Sequence, residues 1–562
     1  MPRLFCYILT LLLLSCQPQE KADLILHGGQ IYTMETPGST VSALAIKGER
    51  IIYTGSDEGV MVYKTDKTEV IDLEGRLVLP GFTDAHVHPL SAGLARMGCD
   101  LSDMTNPDSV LQKIAQYAAA NPEKTWIRAD NFWLPLFDNG NPKKETLDAI
   151  VPDRPVYVTS ADGHNAWVNS KALEMAGLTA ETPDPANGRI ERDTRTNAPT
   201  GTLRESAMDL VSRLLPEPSA ADRKKALLNS LQLANSLGIT NLVEASASPE
   251  FVETYLELSQ EGLLTAHVSV SVYADVSQGE AGAKAAIAII NQYKQAARWK
   301  NDLRLDQVKL FMDGVVEGKT AAMLHPYADE HHKGIANATP EAAKACIAAL
   351  DQAGIQIHVH GIGDRGIRIT LDALEQARAS NGIRDARHHI AHLHVIHPDD
   401  LPRFAELGVL ANFQALWATL EDTYMTEMNF PFLGEERIAW QYPIGSVHRA
   451  GGTLVFGSDW DVSTMNPFDA MQVAVTRRGP DSIPREPWTP QHLVDVPTVV
   501  AGYTKGGAYL SFLENEVGTL EPGKLADLIV LDQHIFTIPK WQLYQTQVLM
   551  TLFRGKIVFK RL

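Results

Sequence analysis

Eight apolar, β-branched runs alternate with helical stretches through the middle of this chain. Histidines, a lysine and an aspartate sit at or near the carboxyl ends of several runs, and short strand-like segments lie at both ends of the chain. Together these observations predict an α/β fold: a (β/α)₈ TIM barrel, a small discontinuous β-sandwich domain built from both termini, and a subdomain inserted after strand one. The runs are Leu77 to Ala85, Ile239 to Ala245, Ala266 to Val272, Leu305 to Met312, Ile355 to Gly361, His388 to Val395, Val409 to Phe413 and Thr453 to Gly457. Helices are expected between most of them, at Ala221 to Leu237, Glu250 to Gln260, Ala283 to Ala297, Pro340 to Ala353, Arg365 to Ser380 and Pro398 to Leu407. Gly238, Gly262 and Gly354 stand where a helix prefers its C-terminal glycine.

At the amino end, Arg3 precedes an apolar run from Leu4 to Leu14, followed by Ser15-Cys16. The run is too short to span a bilayer comfortably and resembles a bacterial lipoprotein signal. Residues 1–16 are therefore expected to be a signal peptide, with Cys16 becoming the lipid-modified amino terminus; the alternative is an ordinary cleaved signal peptide or an uncleaved anchor. Gln17 is not the aspartate of an inner-membrane retention signal, so the expected place is the outer membrane, facing the periplasm. Strand-like segments then run from Asp23 to His27, Ala43 to Lys47, Arg50 to Thr54 and Glu69 to Asp72, in a pattern of small antiparallel strands. Ala526 to Leu531 and Val548 to Phe559 do the same at the far end. The expected domains are 22–79 with 515–562 for the β-sandwich, and 80–514 for the barrel with an insertion at about 90–218.

The chain has 562 residues, 44% of them apolar and 21% charged, and can bury a large core. A net charge of −18 argues against a nucleic-acid backbone as partner. Cys99 and Cys346 are too distant in sequence to suggest a disulfide framework. The expected partners are a small-molecule substrate and, through the lipid anchor only, a membrane; self-association into a homo-oligomer stays open.

Phe82-Thr83-Asp84-Ala85-His86-Val87-His88 ends the first run. Residues two apart on a strand face one way, so His86 and His88 can hold a cation together. Lys309 stands in the apolar Val308-Lys309-Leu310-Phe311-Met312, where an ammonium is costly unless neutralised or snorkelling to the surface. A deprotonated lysine amine beside cations can add carbon dioxide, giving an anionic carbamate ligand. His358 and His360 share a face of the fifth run, and His360 is nearer the carboxyl end where barrel sites form. His392 and His394 share a face of the sixth, with His388, His389 and His397 nearby. Asp459 ends the eighth run, where a carboxylate can touch a cation and carry a proton, or cap a helix; Asp461 competes for the same role.

In this order the residues resemble the amidohydrolase superfamily, in the branch that includes N-substituted formamide deformylases. The likeness rests on Leu79-Pro80-Gly81-Phe82-Thr83-Asp84-Ala85-His86-Val87-His88, Gly163-His164-Asn165-Ala166-Trp167, Lys309-Leu310-Phe311-Met312-Asp313-Gly314, His360-Gly361-Ile362-Gly363-Asp364-Arg365 and Gly518-Thr519-Leu520-Glu521-Pro522-Gly523. It implies two divalent cations, with zinc expected. His86, His88 and Asp459 would hold one and His360 and His392 the other, bridged by N6-carboxylated Lys309. It also implies hydrolysis of a non-peptide carbon–nitrogen bond by a metal-bridging hydroxide, with Asp459 as general base and acid. Ala391, where relatives often carry glutamate, and Asp461, where they often carry proline, are departures that bear on specificity. His164 and Trp133, in the insertion, are expected substrate contacts. Trp126, Phe132, Phe137 and Trp167 divide between pocket wall and subdomain core. The rival readings are a metal-assisted isomerase or decarboxylase on the same site, and a catalytically silent envelope lipoprotein.

Overall fold

In a computed structural model, which describes residues 20–561 apart from 37, 298–301, 421–423, 481 and 483–485, eight parallel strands form one sheet in chain order. They are Phe82–Val87, Ile239–Ala247, His267–Tyr273, Leu303–Phe311, Gln356–Gly361, His389–His392, Leu410–Phe413 and Leu454–Phe456. Cys16 and the apolar run before it lie outside the described residues. The sheet closes on itself just past strand eight, where Asp459 N–H donates to His86 O (2.7 Å) and His88 N–H donates to Trp460 O (3.1 Å). Gly457 permits this approach, because a Cβ there would lie 2.5 Å from the His86 nitrogen.

The strands present two different faces. Val268, Val270, Val308, Leu310, Ile357 and Val359 point outward and pack under the helices in one large apolar cluster. The alternate residues Ser271, Gln307, His358 and His389 are also buried, on the barrel's inner side, where they are hydrogen-bonded to one another or to further polar groups. The helices Ala220–Ser236, Pro249–Glu261, Pro340–Gln352 and Asp364–Asn381 supply the outer layer. Ser219, Ser248 and Thr339 cap the first three by accepting a backbone N–H.

The first predicted run does not form one strand. It breaks at Gly81, where a Cβ would overlap the Thr240 side chain: Leu77–Pro80 joins the terminal β domain and Phe82–Val87 joins the barrel. In the β domain, Leu528–Leu531 lies between Leu77–Pro80 and Val548–Phe553, so both ends of the chain share one sheet. A second sheet holds Arg50–Gly55, Ala43–Lys47, Leu24–His27 and Glu69–Asp72. Leu26, Ile46, Leu528 and Leu552 meet in the core that the two sheets share. The expected all-antiparallel pattern is corrected here. Leu24–His27 runs parallel to Glu69–Asp72, and Gln30–Tyr32 parallel to Leu77–Pro80, because in each case the chain returns after intervening elements rather than through a hairpin.

After the helix Pro89–Met97 a separate six-stranded sheet is inserted, in the order Gly188–Arg192, Pro199–Glu205, Asn165–Val168, Val156–Ser160, Ile127–Phe132, Cys99–Asp100. Phe132 and Trp167 fill its core, with Phe137 packed beside them, Trp126 is buried in a neighbouring cluster, and Trp133 lines a cavity at the barrel mouth. Cys99 and Cys346 are buried free thiols. No helix among the described residues is long and apolar enough to cross a membrane.

The barrel floor is tied to the β domain by an ion cluster centred on the buried His267. His267, at the start of strand three, bonds Asp527 (2.8 Å) and Asp302 (2.9 Å), and Arg554 bonds Asp302 (2.7 Å) and Glu49 (2.8 Å). Burial opposes a charged ring, but Asp527 and Asp302 outweigh it and lift His267 to about 9. The folded value lies above that of a free imidazole. The stabilisation is therefore present in full below about pH 6.5 and is lost as pH rises through about 9. The thermal midpoint of His267→Gln should fall below wild type by a margin worth on the order of 3 kcal/mol at pH 6. That gap should shrink by pH 10, as followed by calorimetry across this range; a gap that does not change with pH would refute the charged clamp.

Candidate metal centre

The closing seam brings a carboxylate between two histidines. Asp459 Oδ1 lies 3.4 Å from His86 Nε2 and 3.2 Å from His88 Nε2, while its Oδ2 lies 3.8 Å from His392 Nδ1. His86, His392 and Asp459 each offer a ligand atom within 4.8 Å of the others. His360 sits beside them, its ring centroid 4.4 Å from that of His392 and its Nε2 3.1 Å from Gly314 O. Lys309 Nζ is fully buried with no hydrogen-bond partner among the described residues. His86, His88, Lys309, His360, His392, Asp459 and His164 all line one polar cavity of about 610 Å³. A second, more apolar cavity of about 460 Å³ shares His164, His360, His392 and Asp459 and is walled by Trp133, Ile362, Leu416, Trp417, Met425 and Tyr442.

The electrostatics follow from burial against partners. Burial costs Lys309 its charge, and Asp459 and Glu244 restore only part of it, so its amine falls to about 7. Burial would raise Asp459, but His86, His88 and His392 hold it well below the usual carboxylate range. His88 is drawn up to about 9 against its own desolvation by Asp459 and Glu244. His164 rises to about 9 in the same way, through its 2.8 Å contact with Glu205. Two of the converging residues, His392 (φ 75°) and Asp459 (φ 53°), hold left-handed backbone conformations, the kind of strain that clusters at functional sites.

Lys309 Nζ and His392 Nδ1 are buried without hydrogen-bond partners among the described residues, and with Asp459 they face a common space. Buried polar atoms left in this way are rare unless something else satisfies them. Imidazole nitrogens and a carboxylate turned toward one another form a donor set that suits a divalent cation such as zinc.

The remaining histidines have other work. His394 Nε2 is taken by Gln441 (2.6 Å) and its ring stacks on Tyr442, apart from the three-residue cluster. His388 bonds Asp351, and His389 packs against His358 inside the barrel, the ring centroids 4.0 Å apart. Asp461 points to the insertion, where its Oδ2 accepts a 2.7 Å bond from Asn131. Sequence reasoning missed three supporting residues. Glu244 on strand two is fully buried, lies 3.6 Å from His88 Nδ1 and accepts from Tyr255 Oη. As a carboxylate inside Leu242-Val243-Glu244-Ala245 it carried the same signal as Lys309. Glu205 carried none, and Asp313 stood only inside the Lys309 to Gly314 segment with no role of its own, since only the fold brings Glu205 to His164, and Asp313 to the backbone N–H groups of Ile362 and Gly363 just after His360.

A barrel whose mouth gathers histidines, a carboxylate and an unpaired lysine defines a metal-dependent enzyme. The chain belongs to the Amidohydrolase family, whose model matches residues 69–559, and is a hydrolase of that family. It is 30% identical to Protein LONG AFTER FAR-RED 3 of Arabidopsis thaliana over 91% of this chain and 87% of that one. It is 27% identical to the N-substituted formamide deformylase of Arthrobacter pascens, over 96% of this chain and 98% of the relative. An uncharacterized metal-dependent hydrolase from Pyrococcus horikoshii OT3 shares the fold with a TM-score of 0.71 at 23% identity, covering 92% of this chain and 99% of the other.

Glu244→Gln keeps the shape of the second layer and removes its charge. It should weaken metal binding by about 10–100-fold in chelator competition, with the melting curve little changed; unaltered affinity would remove Glu244 from the site.

Proposed function

We propose that the protein hydrolyses a non-peptide carbon–nitrogen bond of a small N-substituted amide, using two divalent cations, with zinc the expected metal. The observation that carries this reading is the convergence of His86, His392 and Asp459 beside the unpaired Lys309 Nζ. His86, His88 and Asp459 would hold one ion and His360 and His392 the other. Lys309 would bridge them after its neutral amine adds to carbon dioxide, forming an N–C bond and releasing one proton. When bound, the ions supply activation of water and polarisation of the amide carbonyl. Asp459 takes the proton from the attacking water and returns it to the leaving nitrogen. His164, held protonated by Glu205, donates a hydrogen bond to the substrate. Trp133 and Trp417 wall the apolar cavity that receives the N-substituent, in keeping with the N-substituted formamides named for the Arthrobacter pascens relative.

Elemental analysis of the purified chain lacking residues 1–16 should find about two zinc or similar ions per chain. Lys309→Ala should lose metal together with most of its activity on a panel of N-formyl and N-acyl amines, and turnover should favour apolar N-substituents. One ion per chain, unchanged in Lys309→Ala, would defeat the bridged site. No turnover of any amide by the fully loaded protein would defeat the proposed substrate class.

We also propose that Cys16 carries a lipid that holds the protein to the outer membrane. Wild type expressed in a bacterial host should partition with outer membranes and Cys16→Ala should not; equal partitioning of the two would exclude the anchor.

A further inference from the structure

A file of polar side chains runs through the barrel interior from the metal cluster to the floor. His86 Nδ1 lies 2.7 Å from His358 Nε2, and His358 Nδ1 lies 3.1 Å from Ser271 Oγ. Ser271 Oγ is bonded to Gln307 Oε1, and Gln307 Nε2 donates to Gln356 Oε1 at 2.8 Å. Gln356 Nε2 in turn donates to the backbone carbonyls of Arg387 (2.7 Å) and Leu510 (3.0 Å). All five side chains belong to buried residues.

The direction of the chain follows from its floor. Gln356 places its nitrogen on two carbonyls, and its oxygen also accepts from Arg304 Nη1 (3.1 Å), a group that can only donate. Gln307 must therefore turn its nitrogen to Gln356 and its oxygen to Ser271. An amide oxygen only accepts, so the Ser271 hydroxyl proton is committed to it, and Ser271 Oγ receives a proton from His358 Nδ1. His358 is buried without an acid among its hydrogen-bond partners, so a second ring proton would be an unpaired buried charge. His358 Nε2 must then accept, and His86 Nδ1 must donate. A neutral His86 ring then leaves its Nε2 lone pair bare, 3.4 Å from Asp459 Oδ1.

We propose that Gln356, Gln307, Ser271 and His358 are positioning residues forming a one-way relay, which sets the tautomer of His86 and aims its Nε2 lone pair at the metal. The tautomer stands on the hydrogen bonds and on the burial of His358; its effect on metal binding rests on the proposed function. Ser271→Ala removes the acceptor of the His358 Nδ1 proton. His358 is then free to carry its proton on Nε2 and donate to His86, which moves the His86 proton onto the atom meant for the metal.

The test is imidazole nitrogen–proton correlation NMR on the ¹⁵N-labelled, metal-free chain, with His86 assigned by the loss of its signals in His86→Gln. Wild type and Ser271→Thr should show His86 protonated at Nδ1, and Ser271→Ala should shift it toward Nε2. In zinc competition against a chelator, Ser271→Ala and His358→Ala should bind one ion about 10–100-fold more weakly, while His358→Gln, which keeps an acceptor for His86, should stay near wild type. A wild-type His86 protonated at Nε2, or a Ser271→Ala variant unchanged in both tautomer and zinc affinity, would overturn the relay. Wild type protonated at Nδ1 but binding no zinc would leave the relay standing and overturn the metal reading instead.

Discussion

The seam between strands eight and one is the constraint on which the site depends. A parallel sheet of eight strands can stay open at one edge, and an open edge here would leave Asp459 far from His86 and His88. Gly457 lets the strands approach, and two backbone hydrogen bonds lock Asp459 and Trp460 to the two histidines' own main chain. Asp84, one residue pair before His86, adds two more bonds to Ser458, through its N–H (2.9 Å) and its hydroxyl (2.6 Å). The same contacts that finish the barrel thus set the distance between a carboxylate and two imidazoles. Barrel closure and assembly of the site are one event.

Behind that seam the barrel departs from the usual aliphatic filling. Its outward face is Val, Ile and Leu, and its inward face carries Ser271, Gln307, His358, His389 and Asn412. A polar interior is expensive unless its donors and acceptors are matched. The matching is near complete along the file from His86 to Gln356, and each amide orientation follows from the one beneath it. The return on that cost is orientation: an apolar filling would hold the His86 ring in place but could not choose which of its nitrogens carries the proton.

How much of this was legible in the sequence depended on whether a residue looked out of place where it stood. Lys309 inside an apolar run, His86 and His88 at a strand end, and Asp459 after Gly457-Ser458 were visible as polar residues where a strand should be apolar or ending. Spacing alone could not separate His358 from His360, because residues two apart share a face, and only position along the strand favoured His360; in the structure they differ in depth, His360 reaching the cavity while His358 lies one layer below. Leu77 to Ala85 looked like one strand because both halves are extended, and only the pairing, Leu77–Pro80 with Leu528–Leu531 and Phe82–Val87 with Ile239–Ala247, shows that each half belongs to a different sheet. The insertion was legible as a length of chain but not as a set of contacts. The meetings of His164 with Glu205, and of Asn131 with Asp461, depend on how one sheet docks over another, which no local pattern records.

The terminal β domain has a part in this chemistry although it lies at the opposite end of the barrel. The relay is anchored on the carbonyl of Leu510, in the short helix Gly507–Leu510 that plugs the floor and leads, through Gly518, into strand Leu528–Leu531 of that domain. Its other anchor is the carbonyl of Arg387, whose guanidinium is itself held by Glu514 at 2.7 Å and by Asp385. His267 pins the same floor to Asp527. A β domain that slipped on the barrel would move the acceptors that orient Gln356, and the error would pass through Gln307, Ser271 and His358 to His86 at the far end. The domain built from the two ends of the chain is therefore a support for the orientation of His86, which gives a physical reason for both termini to return to the same place beneath the barrel.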